Sequence, residues 1–397
     1  MPDLFPDLSP KGHAVLARLT PLLPEIAESA ATIDRTAEIP PALADRMRAA
    51  GLFRLVQPEP YGGVELDPPS LVQIMEAVAQ HDASTAWCLG QTNICAYTAA
   101  YFAPEVARTV FGPDTGILAW GPGPGQARAV PGGFRLSGSF DFASGSRLAT
   151  WLGAHVPIIE PDGSRRPGPD GKPAMFTLIF PKTSVRVKDT WQVMGLRGTG
   201  SDSFEVEDLF VPEAYSMMRN TAMPRHVPGK LYVFTQSTLY APSFCGIALG
   251  IARAFMDAFI RDMRDTTPRG AARTRGENHV TQATVGTCEA KLRAARVYLL
   301  DTVAGVWAEA QQQTELTQDQ FLAIRLASTW GIQTAREVVS DLYTATGALA
   351  IFERLPFERR FRDIHTVTQQ FQGHPAHFQT VGQILMGRTP DRPMFTF

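Results

Sequence analysis

Two segments hold the residue types from which a site could be built. Phe140-Asp-Phe-Ala-Ser-Gly-Ser146 sets hydroxyls and exposed amides beside aromatic rings, and Trp191-Gln-Val-Met-Gly-Leu-Arg-Gly-Thr-Gly-Ser201 does the same with an arginine added. Such a mix suits a flat heteroaromatic cofactor, because amides and hydroxyls satisfy ring heteroatoms while apolar side chains exclude water. Taken alone, each segment also reads as an ordinary β-turn. Other motifs close off chemistries. Gly121-Pro-Gly-Pro-Gly125 does not lead into a helix, and its prolines remove donors that a pyrophosphate would need. Gly195 to Gly200 lacks the Lys-Ser/Thr of a P-loop, and no His-Glu-x-x-His or Gly-x-Ser-x-Gly occurs. His374 and His377 have no neighbouring carboxylate or thiolate in sequence, so no metal is expected.

The elements that must position these segments change texture twice along the 397 residues. Residues 11 to about 112 read as helices: Ala42–Phe53 after two prolines, then Leu71–Gln80 and Ser84–Phe102 with apolar residues at three- and four-residue steps. From about 115 to 228 the pattern is strand-like, with Phe134–Phe140, Ala174–Ile179 and Ser203–Val211 as strands and Pro131-Gly132 as a hairpin turn. Helix returns after about 230. Cys288, Leu292, Ala295, Leu299, Val303 and Val306 form one apolar stripe. Thr317 with Gln320 makes a capping box, and Gly347 ends the helix that it opens.

Composition bounds the class. With 44% apolar and 19% charged residues and a net charge of −2, the chain reads as a globular protein with no pull toward nucleic acid or anionic membranes. Four cysteines without a paired spacing suit buried thiols in a reducing compartment. Met1–Pro10 has no basic and apolar leader pattern, so the cytoplasm is the expected location.

Taken together, the segments resemble the acyl-CoA dehydrogenase superfamily. The resemblance is carried by Ala49-Ala-Gly-Leu-Phe-Arg-Leu55 with Tyr61-Gly-Gly63, by Phe134-Arg-Leu-Ser-Gly138 with Phe142-Ala-Ser-Gly145, and by Met194–Ser201 with Phe204-Glu-Val-Glu-Asp208. Gly246-Ile-Ala-Leu-Gly-Ile-Ala-Arg253 and Arg362-Asp363 complete it. It implies an α+β fold: an N-terminal helical domain (1–114), a central β-barrel-like domain (115–228) and a C-terminal four-helix bundle (229–397), with Arg362-Asp363 starting the last helix. It also implies FAD or FMN, and a homotetramer or dimer with flavin at a subunit boundary.

The family's dehydrogenases need a carboxylate base to remove the α-proton while flavin takes hydride. The two places that would hold it fall near Phe371 and on Tyr240, and neither Thr235–Gly250 nor His365–Gln383 contains an Asp or Glu. The wording instead resembles the family's flavin-dependent monooxygenases. These take reduced flavin from a separate reductase, by diffusion, and oxidise small aromatic substrates with O2 through a C4a-(hydro)peroxyflavin. The resemblance then implies Ser144, His365 and Gln370 as catalytic. It assigns Trp120, Gly121, Phe142, Ser144, Gly145, Arg197, Thr199 and Ser201 to the flavin, with Arg273 and Gln282 reaching it from a partner subunit. Trp87, Gln91, Tyr240, Phe371, His374 and His377 would line the substrate pocket. Gln370 stands where several hydroxylases carry a histidine, and His365 lies roughly 140° round a continuous helix from it. The alternatives are an acyl-CoA dehydrogenase with a displaced base and a non-catalytic protein that kept the fold.

Overall fold

The computed structural model describes residues 8–113, 115–169, 171–219 and 224–391. Most of the Met1–Pro10 segment and the expected boundary at residue 114 lie outside the described residues. Among the described residues six helices come first: α1 (Pro10–Leu19), α2 (Leu23–Thr36), α3 (Pro41–Ala49), α4 (Pro68–Ala79), α5 (Ala83–Ala96) and α6 (Pro104–Phe111). The helix expected over Ala42–Phe53 stops at Ala49, because Gly51 takes a left-handed φ of 72° and a separate 3-10 turn follows. Asp82 caps α5 by accepting from the Thr85 amide at 2.7 Å, which fixes where Trp87 and Gln91 emerge, one turn apart on one face.

Eight strands follow among the described residues: β1 (Leu118–Gly121), β2 (Gly125–Val130), β3 (Gly133–Phe140), β4 (Trp151–Ile159), β5 (Met175–Pro181), β6 (Arg186–Lys188), β7 (Ser203–Pro212) and β8 (Ser216–Met218). Their order is β6-β7-β3-β2-β4-β5-β8, with β1 joined to β4. The hydrogen-bonded path is open at β6 and β8, so barrel-like closure is not made by strand pairing among the described residues. β1 and β2 share one edge of β4 in succession, at Trp151–Ala154 and at Ile158–Ile159. The Gly121–Gly125 segment is the joint between them. A Cβ on Gly121 would lie 2.1 Å from the Asp141 carbonyl oxygen, and one on Gly123 would lie 2.0 Å from that of Ser139. These glycines therefore let the joint lie against the end of β3.

Five helices close the described residues: α7 (Gln236–Met263), α8 (His279–Ala310), α9 (Gln318–Thr346), α10 (Glu358–Val367) and α11 (Ala376–Leu385). α7 is long and apolar enough to cross a membrane, yet it is the buried central helix of this layer. Gly246 and Gly250 let α4 approach it, since a Cβ on either would lie 2.6 Å or 2.5 Å from the Val72 and Glu76 carbonyl oxygens. The expected stripe on α8 is buried throughout, as are all four cysteines, and the Thr317–Gln320 box caps α9. The fourth position of the expected bundle is divided between two short helices, α10 against α7 and α9, and α11 against α9. Arg362 and Asp363 sit inside α10 rather than at the start of the last helix.

Candidate functional site

A cavity of about 1250 Å³ opens between the end of β3, α5, α7 and the turn after α10. Trp87 and Gln91 of α5 wall it, with Trp120 of β1 and Tyr240 and Phe244 of α7. The two hydroxyl-rich segments meet there. The Gly145 amide donates to the Thr199 carbonyl at 3.0 Å, and the Ser146 hydroxyl to the Gly200 carbonyl at 2.9 Å, stitching one segment to the other. Phe142 and Leu196 both carry positive φ, 58° and 52°, and both line the cavity. Non-glycine residues in that region cost about 1–2 kcal/mol each and persist only where surroundings fix them. Leu196 is fixed at both ends. Its amide donates to a carboxyl oxygen of the buried Asp363 at 2.7 Å, and its carbonyl accepts from the Thr199 hydroxyl at 2.8 Å and the Trp191 indole at 3.1 Å.

The buried hydroxyls form a chain whose direction is forced. Thr199 has one hydroxyl proton, and it goes to the Leu196 carbonyl, which can only accept. Thr199 must therefore accept from Ser201 at 2.7 Å, and Ser201 must accept from Ser144 at 2.7 Å. The Trp87 indole N–H donates to Ser144 at 3.2 Å. Ser144 has spent its proton on Ser201, so it faces the cavity as an acceptor.

Gln370 and Phe371 also reach the wall, from the turn after α10. The Gln370 side-chain oxygen accepts from the Gln372 amide at 2.8 Å, whereas its Nε2 is buried with no hydrogen-bond partner among the described residues. A buried donor left unused in a cavity wall is costly unless a ligand takes it. Together with the hydroxyl chain, the exposed ring of Phe142 and the half-buried ring of Trp191, it gives the cavity the donors, acceptors and flat faces that a flavin ring requires.

Several expected site residues lie elsewhere. His365 packs against Phe361 with ring centroids 4.3 Å apart and faces Ser340 of α9, because α10 turns its ring away from the cavity. α10 ends at Val367, so the continuous-helix geometry linking His365 to Gln370 does not apply. His377 is turned onto the backbone, its Nε2–H donating to the Phe371 carbonyl at 2.7 Å. Burial and the nearby Arg325 push it down to about 4, so it supports the turn as a neutral imidazole. His374 caps the same turn, accepting from the Ala376 amide at 3.1 Å. Arg197 donates to the Val193 carbonyl at 3.0 Å and pairs with Asp34 of α2 at 3.8 Å, outside the wall. Gly121 and Gly145 shape the backbone behind the wall rather than lining it. Arg273 and Gln282 are exposed and do not line this chain's cavity; Gln282 donates to the Gly276 carbonyl at 2.8 Å.

Among the wall residues that were not anticipated, three bear on the cavity's chemistry. His155 of β4 pairs in register with Thr177 of β5, and the two side chains hydrogen-bond at 2.9 Å. One polar residue in each of two apolar strands was the available signal. Burial and the nearby Arg219 push His155 well below the usual imidazole range. Arg219, just past β8, and Phe244, one turn after Tyr240, complete the set. No motif marks Arg219.

The chain matches the model described as "Acyl-CoA dehydrogenase, N-terminal domain" over residues 22–115 and that described as "Acyl-CoA dehydrogenase, C-terminal domain" over residues 243–375. It is 28% identical to an indole-3-acetate monooxygenase of Pseudomonas putida over 90% of each chain. It is 26% identical to the oxygenase subunit HsaA, a flavin-dependent monooxygenase of Rhodococcus jostii, over 88% of this chain and 92% of that one. In structure it resembles XiaF from Streptomyces sp., solved in complex with FADH2 and glycerol, with a TM-score of 0.87, 21% identity, and coverage of 96% of this chain and 97% of that one.

Proposed function

Since this chain belongs to the acyl-CoA dehydrogenase superfamily, we propose that it is the oxygenase component of a flavin-dependent monooxygenase acting on a small aromatic substrate. One observation carries the choice within the family. Among the described residues lining the cavity none is Asp or Glu, so no carboxylate stands ready to take an α-proton. That count disfavours the displaced-base dehydrogenase. The reaction consumes one O2, one reduced flavin and one substrate. It places one oxygen atom on the substrate and releases the other as water with oxidised flavin. A separate reductase supplying flavin by diffusion fits this stoichiometry.

Reduced flavin, FMN or FAD, supplies the two electrons that activate O2. Ser144 would accept a hydrogen bond from the ring, and Ser201 and Thr199 hold Ser144 in that role. Trp120 and Phe142 would flank the ring or the substrate and keep water out, and the Gln370 Nε2–H would donate to an oxygen of either. A homo-oligomer belongs to the same reading. Val280, Tyr298 and Trp330 are exposed apolar side chains on α8 and α9, and Arg273 and Gln282 would reach flavin only in a neighbouring copy. We place the three domains at 1–114, 115–228 and 229–397, and the protein in the cytoplasm.

Stopped-flow mixing of reduced flavin–protein with O2 tests the proposal. It expects a transient absorbance unlike that of reduced or oxidised flavin, and oxygen-dependent product formation. Anaerobic bleaching of bound oxidised flavin by an acyl-CoA would instead establish the dehydrogenase, and failure to bind flavin in either state would favour a non-catalytic role.

A further inference from the structure

The cavity has two chemically different ends. One is the hydroxyl chain at Ser144. The other is Arg219, a half-buried guanidinium whose charge bears on Tyr240, Cys95 and His155. Aromatic rings join the two ends. Trp87, bonded to Ser144, stacks on Phe244 with centroids 4.0 Å apart and planes 1° apart, and Phe244 meets Tyr240 at 5.3 Å. Tyr240 Oη in turn lies 3.9 Å from Cys95 Sγ.

The groups around Arg219 are uncharged near neutral pH. Burial pushes the Tyr240 phenol and the Cys95 thiol up and the His155 imidazole down. Arg219 stays a cation, although burial lowers it somewhat. The described wall thus carries two cations, Arg219 and Lys172, and no carboxylate. A planar guanidinium set in an aromatic cavity is built to hold a planar anion through two parallel N–H bonds.

We propose that Arg219 binds the carboxylate of an aromatic acid whose ring lies along the Trp87–Phe244–Tyr240 wall, which makes the substrate class aryl- or heteroaryl-alkanoates. The inference rests on the monooxygenase reading for the chemistry at the Ser144 end and only on the cavity for the binding. The flavin phosphate offers a second source of the same anion chemistry. The aromatic wall that separates Arg219 from the hydroxyl chain favours the substrate.

The test is anaerobic calorimetry on the full chain with reduced FMN bound, using indole-3-acetate and 4-hydroxyphenylacetate against their uncharged amides. The acid should bind about 10- to 100-fold more tightly than its amide. Arg219→Gln should bring the two within a few-fold, and Arg219→Lys should restore part of the preference. Equal binding of acid and amide by the unmodified protein overturns the proposal, as does failure of either acid to bind. FMN and riboflavin are titrated in parallel. If Arg219→Gln weakens FMN and spares riboflavin, the anion was the phosphate and the proposal falls. Melting curves check that both variants are folded, and the Arg219→Lys result alone decides if the glutamine variant is not. Acid preference that depends on Arg219, without any oxygen-dependent turnover, would sink the monooxygenase reading and leave this one standing.

Discussion

The direction of the hydroxyl chain makes a prediction about flavin redox state. Reduced flavin carries a hydrogen on N5, and oxidised flavin presents a bare lone pair there. Ser144 faces the cavity as an acceptor, because its proton is committed to Ser201, whose proton is committed to Thr199, whose proton is committed to the Leu196 carbonyl. Such an acceptor attracts N5–H and repels the bare nitrogen. One neutral hydrogen bond is worth about 0.5–1.5 kcal/mol, so the preference for reduced over oxidised flavin due to this contact is about 2- to 10-fold. Ser144→Ala should remove that factor. It should also cost about 1–3 kcal/mol of stability by leaving the buried Trp87 N–H without its acceptor. Thr199→Val is the sharper perturbation. Valine keeps the shape, and the Leu196 carbonyl keeps the Trp191 indole as a donor at 3.1 Å. The chain then loses its anchor, Ser201 is free to donate to Ser144, and Ser144 is free to donate into the cavity. The ratio of affinities should drop although Ser144 is untouched. The assay is anaerobic titration of each variant with reduced and with oxidised FMN, read by tryptophan fluorescence. If Ser144→Ala abolishes the preference and Thr199→Val leaves it intact, the forced direction is refuted. If neither variant moves the ratio, Ser144 is not the contact.

Further outcomes follow from other parts of the site. Burial pushes the Asp363 carboxyl up to about 7, so the folded chain holds a proton there that the unfolded chain, with a carboxyl near 4, has lost. This contribution to stability is full below about pH 4 and is lost as pH climbs through about 7. Asp363→Asn keeps an acceptor for the Leu196 amide, so its melting temperature should stay flatter over that window, and an unchanged pH slope would count against the assignment. Gly195→Ala would set a Cβ 2.3 Å from the Arg362 carbonyl oxygen, costing about 1–3 kcal/mol and loosening the turn that carries Leu196, measurable as a lower melting temperature with weaker flavin binding. Gln370→Leu removes the unused donor at the wall and should slow turnover by about 10-fold or more; it also removes the acceptor of the Gln372 amide and should cost about 1–3 kcal/mol of stability, whereas His365→Ala, outside the cavity, should leave turnover within about two-fold. Steady-state oxygen consumption separates the last two, and equal losses would put His365 back in the site.

What could be read from the chain alone was what local rules decide. The 3.6-residue stripe of α8, the Thr317–Gln320 cap and the Pro131-Gly132 hairpin depend on near neighbours, and each stands where its spacing places it. The two hydroxyl-rich segments were legible for the same reason, since their composition already suited a heteroaromatic ring. Direction was not legible. His365, His374 and His377 share a residue type with catalytic bases, but the end of α10 at Val367 and the turn over Phe371–Gly373 aim them at Ser340, at a backbone amide and at a carbonyl. His155 and Arg219 entered the site through strand pairing and chain packing, which join residues far apart in sequence and leave no periodic trace. The missing carboxylate joins both levels. Sequence placed no acid near Phe371 or Tyr240, but only the tertiary structure, by collecting the walls from stretches far apart in the chain, brought no other acid among the described residues in to replace it.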